Sequence, residues 1–250
     1  MEKINFRWIM LLYGKNVARE IIKSGRRKIY EIFIVKGLKG LEDIIRYAQE
    51  KNIKVNYIDK KILYKKLGTD KHQGIALNVE GYKSWTLDEF FKKYKNDKKI
   101  SLCVLDSIQD PHNFGAIIRS CEIFGINGII FSPVNTSDIT DTVYKASSGA
   151  LEYIDIIKVA NINNALRELK KQNFWIYGFD VNGNIFLDDV NFDKKSALVF
   201  GSEGSGIRNL VMKNCDFLVK IRQKGKVNSL NVSNAVAVVA YEVMKQYEKL

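Results

Sequence analysis

Short apolar runs alternate with segments of helical spacing from one end of this chain to the other. Trp8-Ile-Met-Leu-Leu-Tyr13 reads as a buried strand, and 16–24 as a helix. Strands over 30–35, 53–57 and 74–79 then alternate with helices over 41–51 and 59–67, the last with Asp59 as a candidate N-cap. Together they predict a small α/β domain over residues 1–80. The stretch 81–99 is charged and aromatic. It carries Leu87, Phe90, Phe91 and Tyr94 at helical spacing and reads as a linker with a short helix.

From residue 100 the strands change character. Those over 101–105, 128–132, 153–159, 174–179, 197–201 and 217–221 are nearly unbroken apolar runs. Helical patterns over 114–124, 142–148, 163–171, 207–215 and 231–247 separate or follow them. Asn113 precedes the first of these helices as a candidate N-cap, and Gly125 follows it. Strands that lack polar alternation and are linked by helices predict a parallel sheet covered on both faces. In the last helix Ala235-Val-Ala-Val-Val-Ala240 is apolar on every side. Such a helix is buried all round or packs against another chain.

At 250 residues and 46% apolar composition, the chain can build a sizeable core, which excludes global disorder. No apolar run approaches the roughly 20 residues of a spanning helix. The run Trp8–Tyr13 is too short for a signal segment. Cys103, Cys121 and Cys215, odd in number and widely spaced, read as reduced core thiols of a cytoplasmic protein. Charge changes the picture more. Residues 1–100 hold 24 Lys and Arg against 12 Asp and Glu, whereas 101–250 hold 16 of each. The whole net charge of +12 therefore sits in the first part. A basic domain beside a neutral one points to a polyanion held by the first. Nucleic acid fits better than a membrane surface, because no basic amphipathic helix carries bulky aromatics on its opposite face.

Three polar segments interrupt the apolar second part: Asp110-Pro-His-Asn-Phe-Gly-Ala-Ile-Ile-Arg119, Val199-Phe-Gly-Ser-Glu-Gly-Ser-Gly206 and Asn228-Ser-Leu-Asn-Val-Ser-Asn234. Each follows a strand or opens a helix, where ligands of parallel sheets sit. In the first, Gly115 lets a backbone or a substrate come close. Arg119, about one turn further on, faces the same opening or makes a surface ion pair. In the second, Glu203 among three glycines ill suits a phosphate. It suits ribose hydroxyls or a positive centre, unless it is the exposed residue of a tight turn. That run is neither a dinucleotide fingerprint nor a phosphate loop. In the third, Ser229 or Asn231 can cap the helix, yet Ser229, Asn231 and Ser233 exceed what a cap requires. His72 and His112 have no Cys or His at ligand spacing, so no metal site is expected. No nucleophile–base pair is visible either.

In this order, Asn113-x-Gly-x-x-x-Arg119, Phe200-Gly-Ser-Glu-Gly-Ser-Gly-Ile207 and Ser229-Leu-Asn-Val-Ser-Asn-Ala235 resemble the motifs of the SpoU (TrmH-like) branch of the SPOUT RNA methyltransferases. Tyr13-Gly14 ahead of a helix and His72-Gln-Gly-Ile-Ala76 extend the resemblance to nearly the whole chain. That last string and Asp106-x-x-x-Asp110-Pro-His-Asn113 are similar to the subgroup that 2′-O-methylates a guanosine of large-subunit ribosomal RNA. The resemblance implies a parallel-sheet SPOUT methyltransferase domain over 100–250 with a deep trefoil knot, an exception to unthreaded topology. It implies a ribosomal-protein-like RNA-binding domain over 1–80. S-adenosylmethionine would sit in the knot, held mainly by backbone groups, with Gly201, Ile221 and Leu230 at the pocket. The chain would act as a homodimer, with the site near the subunit interface. Arg119 would be the group that activates the ribose hydroxyl, positioned with the nucleotide by Asn113, Glu203, Ser229 and Asn231. A guanidinium stays protonated to a pKa above about 12, so orienting the ribose and an adjacent phosphate suits it better than acting as a literal base. The loop Arg222-Gln-Lys-Gly-Lys-Val-Asn228 is more basic than the family pattern leads one to expect, through RNA contact or lysine-rich composition.

Two rival classes are a non-catalytic RNA-binding protein and a nucleotide-cofactor oxidoreductase. The joint presence of Arg119, Glu203 and Asn231 counts against the first. The missing dinucleotide fingerprint and the basic first domain count against the second. Within the family, a transfer-RNA methyltransferase and an antibiotic-resistance ribosomal-RNA methyltransferase are the alternatives.

Overall fold

The apolar runs become strands and the helical spacings become helices in a computed structural model that describes residues 9–227 and 229–249. The chain divides into two units, 1–83 and 84–250. In the first, β1 (Ile9–Tyr13), α1 (Lys15–Ser24), β2 (Ile29–Val35), α2 (Glu42–Glu50), β3 (Lys54–Ile58), α3 (Lys60–Leu67) and β4 (Ile75–Glu80) follow one another. The sheet order is β1-β4-β2-β3, with β4 antiparallel to both neighbours and β2 parallel to β3. The buried-strand reading of 8–13 needs correction. β1 is an edge strand in which Ile9 is 61% exposed and Leu12 alone of its five residues is buried. Trp8 lies outside the described residues. Asp59 stands at the N-cap position of α3, but its side chain takes no helix amide and instead meets Lys36 at 3.3 Å.

The second unit runs through α4 (Leu87–Lys93), β5 (Ile100–Leu105), α5 (Pro111–Ile123), β6 (Gly128–Phe131), α6 (Asp141–Ala146), β7 (Asp155–Lys158), α7 (Ile162–Lys171), β8 (Trp175–Phe179), β9 (Ile185–Phe186), β10 (Lys195–Phe200), α8 (Asn209–Met212), β11 (Phe217–Lys220) and α9 (Val232–Lys249). Its sheet, ordered β7-β6-β5-β10-β8-β11-β9, is parallel throughout. All six residues of β5 are buried, as a strand covered on both faces should be. The reason α7 is a helix can be read directly. Asn161 caps it by accepting the Asn164 amide at 3.1 Å, and Ile162, Ala165, Leu166 and Leu169 bury one stripe.

The stretch 84–99 packs on the second unit instead of standing between the two. Thr86 and Glu89 form a reciprocal capping box at the start of α4. Phe90 is fully buried in the core beside Ile157 and Leu102. Trp85 forms a bridge to Ile157 and so covers the edge strand β7. In α9, Val236, Val239, Ala240 and Val243 are buried while Val238 and Tyr241 are exposed. The helix thus has one covered face and one open apolar face. From β5 the chain moves outward to β7, then returns to build the other side from β8 onward. The crevice beyond the carboxyl ends of β5 and β10 is therefore the switch point of the sheet, where a ligand is expected.

Candidate active site

β5 ends at Leu105, and the next residue is a fully buried carboxylate, Asp106. It accepts the backbone amide of Arg208 at 2.9 Å and two guanidinium donors of Arg208 at 2.8 and 2.6 Å. The far end of the turn after β10 is tied to the strand beside it in this way.

Asp110, not Asn113, is the N-cap of α5. Its side chain accepts the His112 amide at 2.8 Å, and Pro111 occupies the first helical position, where no amide is needed. The helix therefore begins earlier than its apolar pattern suggests, and Asn113 is free to reach sideways. It donates to Glu203 Oε1 at 2.8 Å. Asn231 takes the role of cap for α9: its Oδ1 accepts the Ser233 amide at 2.9 Å. That bond fixes the orientation of the carboxamide, so its Nδ2 donates to Asn113 Oδ1 at 3.1 Å and also to Glu203 Oε1. Three distant segments thus meet on one carboxylate oxygen.

Glu203 is presented by a turn that folds back on itself. Ser202 and Gly206 exchange backbone hydrogen bonds of 3.1 and 3.0 Å, and the hydroxyls of Ser202 and Ser205 lie 2.7 Å apart. A Cβ on Gly201 would stand 2.0 Å from the backbone carbon of Gly206, so position 201 admits no side chain. The close approach at Gly115 serves packing: a Cβ there would meet Ala146 Cβ at 2.3 Å and the backbone of α6.

Two cavities meet at Glu203. One, of about 330 Å³, is lined by Gly201, Ile221 and Leu230, the three expected cofactor residues, together with Ser229 and Asp180. The other, of about 570 Å³, is bounded by Asn113, Gln109 and Arg208. Both include Ser202, Glu203 and Val232 in their walls. Arg119 is not brought to this cluster. It is exposed on α5, and its guanidinium reaches Ser148 Oγ at 3.4 Å. Asn228 lies outside the described residues. Asp106 stands in a sequence string that assigns it no role, and nothing local in the sequence marks Arg208. An acid directly after the apolar run Leu102–Leu105 was the available signal. Among the described residues no group of His, Cys, Asp and Glu can hold a metal ion, and no helix is long and apolar enough to cross a membrane.

Solved SpoU methyltransferases share this fold. AviRb from Streptomyces viridochromogenes, solved with AdoMet, superposes with a TM-score of 0.81 at 20% identity, covering 97% of this chain and 92% of that one. The AdoMet-bound rRNA methyltransferase from Sinorhizobium meliloti gives 0.79 at 20% identity, over 95% and 87%. Residues 100–241 match the model of the SpoU rRNA Methylase family, and residues 11–85 match RNA 2′-O ribose methyltransferase substrate binding. YacO of Bacillus subtilis (strain 168), whose name places it in the TrmH family of tRNA/rRNA methyltransferases, is 36% identical over 93% of this chain and 94% of its own. A similarly named protein of Staphylococcus aureus (strain MSSA476) is 35% identical over 94% and 96%. The chain belongs to the SpoU rRNA methylase family.

Proposed function

We propose that this protein transfers a methyl group from S-adenosylmethionine to a ribose 2′-hydroxyl of RNA, the acceptor being a guanosine of large-subunit ribosomal RNA. The lining of the smaller cavity carries the cofactor reading. In a chain of net charge +12, that lining includes Asp180 and Glu203 and neither Lys nor Arg. Such a wall suits a cationic sulfonium and repels a free phosphate. Phe200, Val219, Ile221 and Leu230 offer apolar surface for the adenine, and the Gly201–Gly206 turn offers backbone groups. When bound, S-adenosylmethionine supplies an electrophilic methyl group.

The larger cavity, with Asn113 and Arg208 in its wall, takes the acceptor nucleotide, and Glu203 stands between the two. Asn113 and Asn231 hold Glu203 in place, so the chain orders the reactants before the reaction starts. The 2′-oxygen takes the methyl carbon in line with the carbon–sulfur bond that breaks, leaving that bond's electron pair on sulfur. The hydroxyl proton departs to solvent at the open mouth. Arg119 orients the ribose and a neighbouring phosphate, and it does so from a second copy of the chain. Two observations support this: Arg119 does not reach the cluster of its own protomer, and Val238 and Tyr241 form an open apolar face on α9. Ile123 extends that face beside Phe124, whose ring meets Tyr241 at 5.7 Å. The same reading takes the turns around the cofactor cavity as the crossing of a trefoil knot and the basic first domain, expected over 1–80, as the RNA holder. A cytoplasmic location accords with three free cysteines and an RNA substrate.

The test mixes two inactive variants. Arg119→Ala and Glu203→Ala should each abolish transfer, and Arg119→Ala should still bind S-adenosylmethionine. Co-refolded together, they should regain activity, because mixed dimers contain one intact site. Turnover by Arg119→Ala alone would sink the role of Arg119. A transfer-RNA acceptor is the second reading, favoured by the tRNA/rRNA naming of the relatives.

A further inference from the structure

Gly115 and Arg119 stand four residues apart on α5 and so share one face of the helix. The end of α6 lies against that face. A Cβ on Gly115 would meet Ala146 Cβ at 2.3 Å, the Val143 carbonyl oxygen at 2.8 Å and the Ser147 amide nitrogen at 2.9 Å. With no side chain at 115, the last turn of α6 packs directly on α5. The residue that leaves this turn, Ser148, therefore arrives beside Arg119, and its Oγ accepts from the guanidinium at 3.4 Å.

Ser147 ends α6 in right-handed geometry, fully buried, with its hydroxyl donating to the Tyr144 carbonyl at 2.8 Å. Ser148 then stands at φ +52°, its amide donating to the Lys145 carbonyl at 3.0 Å, and Gly149 follows at φ +93°. Glycine adopts such a φ freely and serine does not. Among the described residues the Ser148 hydroxyl has one partner, Arg119, so this contact is what a serine adds at the position. Left-handed backbone held by its surroundings is concentrated at functional sites.

The partner also differs in kind from those of other arginines. Arg19, Arg208 and Arg222 are each held by a carboxylate, at 2.7, 2.6 and 3.0 Å. Arg119 meets a neutral hydroxyl. A carboxylate would aim the guanidinium and neutralise it. A hydroxyl aims it and leaves its charge, and its other N–H donors, for a phosphate.

We propose that Ser148 is a positioning residue for methyl transfer: it aims Arg119 at the acceptor ribose and its neighbouring phosphate without drawing on the positive charge. The inference rests on the role proposed for Arg119.

Three substitutions that tolerate left-handed backbone separate aiming from folding. Ser148→Gly removes the acceptor oxygen, Ser148→Asn keeps a neutral one, and Ser148→Asp supplies a charged one. Each should melt within about 3 °C of the unsubstituted protein. Ser148→Gly should lower kcat about tenfold and change KM for RNA and the affinity for S-adenosylmethionine less than about twofold. Ser148→Asn should restore most of the rate, and Ser148→Asp should not, because it neutralises Arg119. Nitrogen-15-labelled arginine, with the Arg119 signal assigned from Arg119→Lys, reports guanidinium rotation without any reaction. Rotation should be faster in Ser148→Gly than in the unsubstituted protein. Equal rotation, full kcat in Ser148→Gly, or full kcat in Ser148→Asp, each with Arg119→Ala inactive, would overturn this inference alone. Equal losses in Ser148→Gly and Ser148→Asn would overturn it too, since the acceptor oxygen would then not matter. Turnover by Arg119→Ala would overturn the role of Arg119 and that of Ser148 together. Slowed rotation in a protein that methylates no RNA would discard the proposed activity, and this role with it.

Discussion

Asn113 and Asn231 are 118 residues apart in sequence, their carboxamides are 3.1 Å apart, and both donate to the same oxygen of Glu203. One carboxylate oxygen therefore reports on the correct placement of α5, α9 and the turn after β10 together. Under the proposed function this is a positioning device, since a lateral error of about 1 Å at a reacting group can cost roughly 100-fold in rate.

The division of labour between Asp110 and Asn113 is the first consequence. Asp110→Ala removes the cap of α5 and should cost about 1 kcal/mol of stability. Asn113→Ala removes no cap and should cost less than about 0.5 kcal/mol, yet it should lower methyl transfer roughly 100-fold. Urea midpoints and initial rates on both variants check this. The opposite ranking of stabilities would restore Asn113 as the cap.

Gly201 and Gly204 sit three residues apart in one turn with opposite demands. A Cβ at 201 would collide with the Gly206 backbone, whereas a Cβ at 204 meets nothing within 4 Å. Gly201→Ala should reduce S-adenosylmethionine affinity at least about 100-fold, and Gly204→Ala should change it less than about twofold. Calorimetric titration separates them. Equal losses would mean that the turn as a whole, not its closure at 201, makes the cavity.

Asp106 and Arg208 clamp the other end of that turn. Asp106→Ala should destabilise the fold by roughly 3 kcal/mol. Arg208→Met should cost more, because it strands a fully buried carboxylate without its partner. Thermal melts of the two variants give the order. A milder effect for Arg208→Met would show that the carboxylate is not held by that pair alone.

Much of this was legible in the sequence, for reasons that differ by element. The parallel sheet was visible because β5, β8 and β10 are apolar runs bounded by turns, and α7 because its buried stripe repeats at helical spacing. The three expected cofactor residues line one cavity: Gly201 and Ile221 directly follow β10 and β11, and Leu230 lies two residues before α9. What failed needed contacts across the chain. Asn113 looked like a cap because the apolar pattern begins at Phe114, and local spacing cannot show that Asp110 already holds the helix start. The stretch 81–99 looked like a linker because its lysines hide Phe90, which the core of the second unit encloses. The edge position of β1 depends on its partner β4, some 65 residues later, and strand composition does not encode it.

Cys215 gives a pH signature. Burial, with Asp216 adding to it, pushes its thiol from 9.0 up to about 12. The unfolded chain therefore loses this proton first, and stability falls as pH rises from about 9 towards about 12. The slope contributed is at most about 1.4 kcal/mol per pH unit. Urea midpoints at pH 8 and pH 10.5, compared with Cys215→Ala, should show a smaller alkaline loss in the variant. Equal losses would place the titration elsewhere.

The most direct measurement is transfer of labelled methyl from S-adenosylmethionine to unmodified ribosomal RNA and, in parallel, to transfer RNA, with mass mapping of the product nucleotide. The account predicts a 2′-O-methylated guanosine in large-subunit RNA and no product with Glu203→Ala. Label in transfer RNA alone would keep the chemistry and contradict the acceptor. Absence of label in either RNA, with S-adenosylmethionine shown to bind, would contradict the proposed function itself.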